Sequence, residues 1–358
     1  MEATDEFVGT RAVTAAHAFD VDALEAYLRD RLPEWRGPMR VEQFRGGQSN
    51  PTYKLTVGDR QYVLRRKPPG KLLPSAHAVD REYRVISALA DTDVPVPRTF
   101  CLCEDDGVIG TAFYVMEFVD GRVLWDPMLP GMRPSERRGI FDAMNRVIAA
   151  LHTVDYASVD LGDFGKPGNY FARQIDRWSR QYKASETEPI EAMDRLIAWL
   201  PRHIPPDERT TIVHGDYRLD NLVFHPSEPR VLAVLDWELS TLGHPMADFS
   251  YHMMAWRLGG DEFRGLRGAD LRTLGIPSED EYVELYLERT RATTHPTPGE
   301  WSFYLAYNLF RLAAILQGVM ARAVAGNAAS ARAVEAGKRA RPIAELGWKE
   351  VEQRLAGA

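Results

Sequence analysis

Three oxygen-bearing side chains near the middle of the chain have types and a spacing that could serve group-transfer chemistry. Asp216 stands within the run HGDYRLDN (residues 214–221), so Asn221 follows it five residues later, and Asp236 lies fifteen residues beyond Asn221. Apolar runs flank the polar turn between them, which predicts a hairpin. We expect Asp216 and Asn221 on a loop at one end and Asp236 at the end of the second strand, so that all three converge.

Phosphoryl transfer is the chemistry that this set would suit. It requires a base that accepts a hydroxyl proton and oxygen ligands that hold Mg²⁺ against the phosphates. Asp216, Asn221 and Asp236 supply those parts. Taken singly, each acid would be interpreted as a structural residue of a turn or a helix cap. The spacing and order of the three together favour the functional interpretation.

The elements that must position these residues begin with a small β-rich lobe. Turn residues and β-prone runs predict an antiparallel meander followed by a helix and two more strands. After a helical lead-in near 20–31, strands are expected near 40–46, 52–57, 61–66, 98–103 and 111–118, with the helix at about 78–90.

Beyond Gly121 the apolar spacing becomes helical, apart from a β interlude at 211–235. The helical segments are expected at 135–152, 168–183, 190–200, 280–292, 300–324 and 328–353. We therefore predict an α+β chain of two lobes, with residues 1–118 as the amino-terminal lobe and 119–358 as the mostly helical carboxyl-terminal lobe.

These motifs, taken in order from about Phe44 to Asp248, resemble the aminoglycoside phosphotransferase family. The His-Gly-Asp form of the loop is similar to that family and its choline kinase branch rather than to the His-Arg-Asp of protein kinases. The resemblance implies a bilobal protein-kinase-like fold, with a five-stranded antiparallel sheet plus one helix in the small lobe. It implies an enzyme that uses ATP and Mg²⁺ to move the γ-phosphoryl group onto a small-molecule hydroxyl.

The resemblance also assigns roles to the loop residues. Asp216 would be the catalytic base, Asn221 a magnesium ligand, and Asp236 the ligand that reaches the β- and γ-phosphates through the metal. His214 and Asp248 are expected to be structural, with Asp248 accepting hydrogen bonds from backbone donors. For His244 we expect packing or hydrogen bonding, because no second His or Cys stands at ligand spacing.

The nucleotide would be held by the small lobe, since neither a Walker A sequence nor a G-x-G-x-x-G run is present. Gly47, Ser49 and Asn50 occupy the place of the family's phosphate loop, where glycine permits close backbone approach. Glu117 to Val119 resemble the family's hinge, whose backbone groups would bind adenine. Met116 would then pack against the ring.

The family's third-strand lysine falls on Arg65, which is a departure from the pattern. Arginine keeps the charge and can fork onto phosphate oxygens, but its shape differs from that of lysine. Lys67 is a second candidate for the phosphate-binding cation, and Glu82 is the expected ion-pair partner on the helix. A solvated helix face would place Glu82 equally well.

The run RRKPPGKLLPSAH (residues 65–77) ahead of Arg81-Glu82-Tyr83 resembles the kinase-like domains associated with acyl-CoA dehydrogenases. Acidic and basic residues are interspersed in the part of the chain expected to bind the acceptor. The acceptor is therefore left open between an aminoglycoside-like polyol and a hydroxyacyl metabolite.

The composition and charge of the chain limit the classes of partner that it is expected to bind. A formal net charge of -7 and a pI near 5.8 argue against nucleic-acid binding. We expect no membrane association, because no uncharged stretch approaches the length of a bilayer span, and the chain starts without an apolar signal region. Cys101 and Cys103 are interpreted as reduced packing residues. A cytoplasmic location is expected, and the oligomeric state is left open.

Two other interpretations compete with an active kinase. Arg65 in place of lysine is also compatible with a nucleotide-binding pseudokinase or scaffold without turnover. The third interpretation is an unrelated α+β protein in which the motif is accidental.

Overall fold

The computed structural model describes residues 9–32, 37–45, 50–68, 78–260, 263–326 and 333–356. The chain forms two compact units. The first comprises Met1–Trp125 and Asp220–Ser240, and the second Asp126–Leu219 and Thr241–Ala358. The division into lobes after residue 118 remains a prediction.

An antiparallel sheet of six strands forms the core of the first unit, within the described ranges, in the order β1-β2-β3-β4-β6-β5. The strands are β1 (Thr10–Arg11), β2 (Met39–Phe44), β3 (Thr52–Val57), β4 (Arg60–Arg66), β5 (Thr99–Cys103) and β6 (Phe113–Glu117). All five predicted strands are present. The expected count was one short, because two-residue β1 is too short to show an alternating pattern.

In the described part of this unit, the helices beside the sheet are α1 (Val21–Arg29), α2 (Val79–Leu89) and α3 (Asp106–Ile109). Helix α1 begins where the Asp20 carboxylate accepts the Ala23 N–H at 2.9 Å. It buries Leu24 and Leu28 in a cluster with Leu55 and Leu64 of the sheet. The four-residue helix α3 was not expected from the sequence.

A second, three-stranded sheet completes the first unit. Strands β7 (Arg122–Val123), β9 (Leu222–Phe224) and β10 (Val231–Val234) pair antiparallel in the order β10-β9-β7. The β9–β10 pair is the predicted hairpin. Before β7, a Cβ on Gly121 would lie 2.4 Å from the Phe224 carbonyl oxygen, so only glycine allows this close approach.

The second unit is mostly helical in the ranges that the structure describes, and strands β8 (Thr211–Val213) and β11 (Thr241–Gly243) pair there. Its helices are α4 (Pro134–Thr153), α5 (Tyr170–Ala184), α6 (Glu191–Trp199), α7 (Pro245–Met253), α8 (Leu271–Leu274), α9 (Glu279–Arg289), α10 (Pro298–Val324), α11 (Ala333–Gly337) and α12 (Ala340–Ala356). The helix predicted at 328–353 is in fact two helices, α11 and α12. The first ends at Gly337, which packs closely on Met320.

Helix α10 is the central element of this unit. It starts with a capping box in which Thr297 and Glu300 exchange hydrogen bonds, with Pro298 in the first turn. It is the one helix among the described residues that is long and apolar enough to cross a membrane, but 83% of its apolar window is buried inside the protein. Most of its apolar surface is therefore packed in the core of this unit.

Candidate active site

A buried guanidinium lies at the end of strand β4. Arg65 is 8% exposed, and its Nε lies 2.9 Å from Oε2 of Glu82 on helix α2. Tyr114 stands opposite Arg65 in strand β6 and donates its hydroxyl to the same Glu82 oxygen at 3.0 Å. The ion pair predicted between Arg65 and Glu82 is present.

Asp236 shares this guanidinium. Its Oδ1 accepts a hydrogen bond from Arg65 Nη2 at 2.9 Å, and Glu238 Oε2 lies 3.9 Å from the same nitrogen. Asp236 has φ +67° and ψ +56°, a left-handed backbone conformation that is uncommon outside glycine. Its side chain remains 36% exposed, so the carboxylate can meet a ligand while it faces Arg65.

Negative charge exceeds positive charge around Arg65, whose guanidinium lies within 4 Å of the carboxylates of Glu82, Asp236 and Glu238. Burial by itself would lower the pKa of Arg65, but Glu82, Tyr114 and Asp236 outweigh burial and raise that pKa. Burial raises the pKa of Glu82, and Arg65 opposes that rise. Arg65 therefore stays protonated, with the fork of its guanidinium directed at two acids.

Asn221 lies at the end of the β9–β10 hairpin where the chain continues from β10 to Asp236. It directly precedes strand β9, whose Leu222 pairs with Val234 of β10. The Leu235 N–H donates to the Asn221 carbonyl oxygen at 2.8 Å, which continues the ladder by one step beyond the strands. Asn221 and Asp236 consequently leave the hairpin at the same end, as the sequence predicted.

The predicted phosphate loop is described only in part. Gly47 and Ser49 lie outside the described residues. Asn50 is 1% exposed, and its Nδ2 donates to Glu82 Oε1 at 2.7 Å. Asn50, predicted to belong to the phosphate loop, thus donates its amide to the acid that pairs with Arg65.

An apolar cavity of about 410 Å³ opens beside these residues within the first unit. Its walls include Val63, Met116, Val223 and Val234, and the polar groups Arg65 and Asp236 are part of its lining. The predicted hinge residues Glu117 and Val119 line it as well. A mostly apolar cavity with a few charged groups is the usual form of a small-ligand site.

Lys67 does not join Arg65 in this arrangement. Its Nζ lies 3.7 Å from Asp80 Oδ1, with both side chains at least one third exposed. Among the described residues, Arg65 is therefore the lysine or arginine that lines the cavity.

Asp216 belongs to the second unit. Its Oδ1 accepts a hydrogen bond from the Tyr251 hydroxyl at 2.6 Å and lies 3.1 Å from Arg218 Nε. Its N–H donates to His214 Nδ1 at 3.2 Å, which gives buried His214 the expected structural role. The side chain is 18% exposed.

The backbone before Asp216 is held from both sides. Asp248 of helix α7 accepts the N–H groups of His214 and Gly215 at 2.7 and 2.8 Å, which confirms its expected structural role. On the other side, Arg311 of α10 donates to the Gly215 carbonyl oxygen at 2.6 Å. Burial would raise the pKa of Asp248, but a hydrogen bond with His152 and the loop donors outweigh it and lower that pKa.

His244 makes hydrogen bonds, as expected. Its Nδ1 accepts the Met246 N–H at 3.1 Å at the start of α7, and its Nε2 lies 3.3 Å from Asp207 Oδ2. Within the described part of the chain, no group of three or more His, Cys, Asp or Glu side chains could hold a metal. One acid and one amide, Asp236 and Asn221, are a different case, since Mg²⁺ commonly takes one or two carboxylates together with substrate phosphates.

Sequence reasoning missed three residues of this region. Tyr114 is recognised only through its cross-strand register with Arg65. Glu238 follows Asp236 by two residues, and this closeness was the available signal. Tyr251 lies 35 residues from Asp216, and no pattern in the sequence pointed to their contact.

Comparison with known proteins decides the family. Residues 40–285 match the phosphotransferase enzyme family, also called APH. The chain belongs to that family. An unrelated protein with an accidental motif was therefore the wrong interpretation.

The phosphotransferase has relatives of two kinds. It is 51% identical to mouse acyl-CoA dehydrogenase family member 10 over 342 residues, which are 95% of this chain and 32% of that protein. The chain therefore spans about a third of that relative. A solved structure, provisionally named an aminoglycoside phosphotransferase of Ralstonia eutropha, is 59% identical with a TM-score of 0.86, and the match covers 94% of this chain and 99% of that one.

The kinase-like α+β fold is confirmed by more distant structures. One is an aminoglycoside phosphotransferase solved with AMP-PNP and hygromycin B, 16% identical with a TM-score of 0.57. That match covers 91% of this phosphotransferase and 98% of the other chain. At this identity the likeness concerns the fold.

Proposed function

We propose that this phosphotransferase moves the γ-phosphoryl group of ATP onto a hydroxyl of a small molecule, with Mg²⁺ as cofactor. The observation that carries the proposal is the buried guanidinium of Arg65, which contacts both Glu82 and Asp236 beside an apolar cavity. That combination offers apolar walls for a base, a fixed cation for phosphates and a carboxylate for a metal.

The residues of the first unit fit a nucleotide. The cavity of about 410 Å³ has apolar walls that suit the adenine ring, and Glu117 and Val119 would bind its edge through their backbone. Arg65 would bind α- or β-phosphate oxygens, since a guanidinium fork matches phosphate geometry. Glu82, which accepts a hydrogen bond from Asn50, holds Arg65 in place. The phosphate-binding roles of Gly47 and Ser49, which lie outside the described residues, stay predictions from the resemblance.

The donor set also fits Mg²⁺. Asp236 offers a partly exposed carboxylate, and Asn221 offers an amide oxygen from the same end of the hairpin. Hard oxygen donors of this kind are the ligands that Mg²⁺ prefers. When bound, the ion would neutralise charge on the phosphates.

Asp216 would act as the base. The acceptor oxygen forms a bond to the γ-phosphorus, the bond to the β–γ bridging oxygen breaks, and ADP leaves with that oxygen. The acceptor proton passes to the Asp216 carboxylate. Backbone contacts from Asp248 and Arg311 hold the peptide that carries Asp216, so the base does not need to be ordered during the reaction.

Two acceptor classes follow from the relatives and from the sequence, an aminoglycoside-like polyol and a hydroxyacyl metabolite. Arg218 lies 3.1 Å from Asp216, and Arg311 is buried against the Gly215 carbonyl. Two guanidinium groups beside the base would repel a polycation, which favours the hydroxyacyl class. We further propose a cytoplasmic enzyme without nucleic-acid or membrane partners, supported by its net charge of -7.

The test is Mg²⁺-dependent ATP turnover by wild-type protein and Asp216→Asn across aminoglycosides, amino alcohols and hydroxy acids, including their acyl thioesters. We expect one class to stimulate turnover and Asp216→Asn to lower kcat at least about a hundredfold. Asp176→Asn, in an exposed pair with Arg180, is the matched control and should retain activity. Nucleotide binding without turnover in wild-type protein would instead support the pseudokinase alternative.

A further inference from the structure

Helix α7 contacts the loop around Asp216 at two points. Asp248 and Tyr251 are three residues apart on α7, a spacing that places both side chains on the same face of a helix. Asp248 binds the backbone of His214 and Gly215, while Tyr251 reaches the carboxylate of Asp216 itself. One helix face thus holds both the main chain and the side chain of the proposed base.

The contact from Tyr251 is short and protected. Its hydroxyl lies 2.6 Å from Asp216 Oδ1, within the range of hydrogen bonds from a hydroxyl to a carboxylate. Tyr251 is 7% exposed, so water competes little for this hydroxyl. Burial and the neighbouring Asp216 raise the pKa of Tyr251, which keeps the hydroxyl protonated as a donor.

The ring of Tyr251 is fixed in turn. The guanidinium carbon of Arg311 lies 5.0 Å from the centre of the Tyr251 ring and 5.6 Å from that of Trp178. The same guanidinium donates to the Gly215 carbonyl oxygen. Arg311 therefore ties the orientation of the Tyr251 ring to the position of the peptide that precedes Asp216.

We propose that Tyr251 is a positioning residue for the phosphoryl transfer, which fixes the plane of the Asp216 carboxylate through Oδ1. The inference rests on the proposed function, because it assumes that Asp216 is the base. Arg218 Nε also lies 3.1 Å from Oδ1, so loss of the Tyr251 hydroxyl would loosen the carboxylate rather than free it. A less firmly oriented carboxylate would meet the acceptor proton in a smaller share of encounters, which acts on kcat rather than on nucleotide binding.

The first experiment compares wild type, Tyr251→Phe and Tyr282→Phe in Mg²⁺-dependent ATP turnover, with water or any stimulating acceptor. Tyr282 is the matched control, since it is a buried tyrosine of the same unit whose hydroxyl contacts His252 at 2.9 Å. We expect Tyr251→Phe to lower kcat at least about tenfold, with the KM for ATP within about twofold. Tyr282→Phe should keep kcat within about twofold.

A second readout needs no turnover. In protein labelled with ¹³C at aspartate carboxyl groups, Asp216→Asn identifies the Asp216 resonance, which should move in Tyr251→Phe and stay in Tyr282→Phe. If wild type shows no turnover while this resonance moves, the proposed function fails and the positioning contact stands. An unmoved resonance, or an unchanged kcat in Tyr251→Phe of an active enzyme, would overturn the inference.

Discussion

Arg65 shows how one substitution within a family pattern changes the electrostatics of a site. Its Nε faces Glu82, and its Nη2 faces Asp236, so a single planar cation spans the ion-pair partner and the proposed metal ligand. A lysine has one ammonium group and lacks this fork. In this protein the carboxylate of Asp236 would therefore be shared between a guanidinium and any metal that binds.

Replacing Arg65 with lysine tests that competition. Arg65→Lys would keep a cation beside Glu82 and release Asp236, so the Mg²⁺ concentration for half-maximal ATP turnover should fall. The fall should be about fivefold at most, because a partly exposed ion pair contributes about 1 kcal/mol. A Mg²⁺ titration at fixed ATP measures it, with Lys67→Arg as the control. A raised Mg²⁺ requirement would show that Arg65 and Asp236 do not compete.

Buried His252 makes stability depend on pH. Burial lowers its pKa to about 4, below the unfolded value near 6.5. Between these values the unfolded chain holds the proton and the folded protein does not, so stability falls as pH drops from about 6.5 to about 4 and is unaffected by this group above that window. His252→Gln should flatten this slope by up to about 3 kcal/mol over the window. Urea unfolding at several pH values measures it, and an equally steep slope in the variant would contradict the assignment.

At the scale of elements, the β9–β10 hairpin positions the proposed metal ligands, and helix α7 supports the loop around Asp216. The hairpin presents Asn221 and Asp236 at one end, because the strand register continues to the Leu235–Asn221 hydrogen bond. Helix α7 holds the loop around Asp216 through Asp248 and Tyr251. Asn308 of α10 anchors α7 itself by donating to the Ala247 carbonyl at 2.9 Å.

Asp248→Asn tests the support that α7 gives to the loop. An amide in place of the carboxylate would turn a donor towards the N–H groups of His214 or Gly215, which leaves buried donors without acceptors. We expect the free energy of unfolding to fall by about 3 kcal/mol, and turnover to fall with it. Urea denaturation measures the first. Asp194→Asn, in an exposed pair with Lys183, should cost less than about 1 kcal/mol. Equal losses in both variants would refute the role of Asp248.

Sequence reasoning succeeded where the signal is local. Alternating and helical apolar patterns gave the five principal strands, and the run at 214–221 with Asp236 gave the hairpin end that carries two of the proposed ligands. It failed where contact depends on tertiary packing. The pairing of Tyr114 with Glu82 requires the β4–β6 register, and the contact of Tyr251 with Asp216 requires the docking of α7 against the loop. Neither contact joins residues that are close enough in the sequence for a local pattern to reveal it.

At the scale of the whole molecule, one continuous motif contains residues of both compact units. The run at 214–221 crosses from the second unit to the first between Leu219 and Asp220. Asp216 thus belongs to the mostly helical unit, and Asn221 to the unit that contains the cavity. Binding of nucleotide in the cavity should consequently be measurable on the intact chain without an acceptor.

The thermal stability of the intact chain tests nucleotide binding. Saturation with AMP-PNP at about 100 times its Kd should add about 2.7 kcal/mol of stability and raise the Tm by several degrees. Mg²⁺ should increase the shift in wild type but not in Asp236→Asn. Differential scanning fluorimetry with AMP-PNP and a GTP analogue, each with and without Mg²⁺, would also give the base preference. A Mg²⁺ effect of equal size in Asp236→Asn would remove Asp236 from the metal site.

The left-handed backbone of Asp236 carries an evolutionary consequence. A residue with a side chain costs about 1 kcal/mol in this conformation, whereas glycine adopts it freely. Mutational drift to glycine at this position would therefore relieve the backbone while removing the carboxylate and its ion pair with Arg65. Lineages that no longer depend on the reaction have no reason to resist that drift. An aspartate retained at position 236 across descendant sequences would thus record continued selection for metal-dependent activity, against the preference of the backbone.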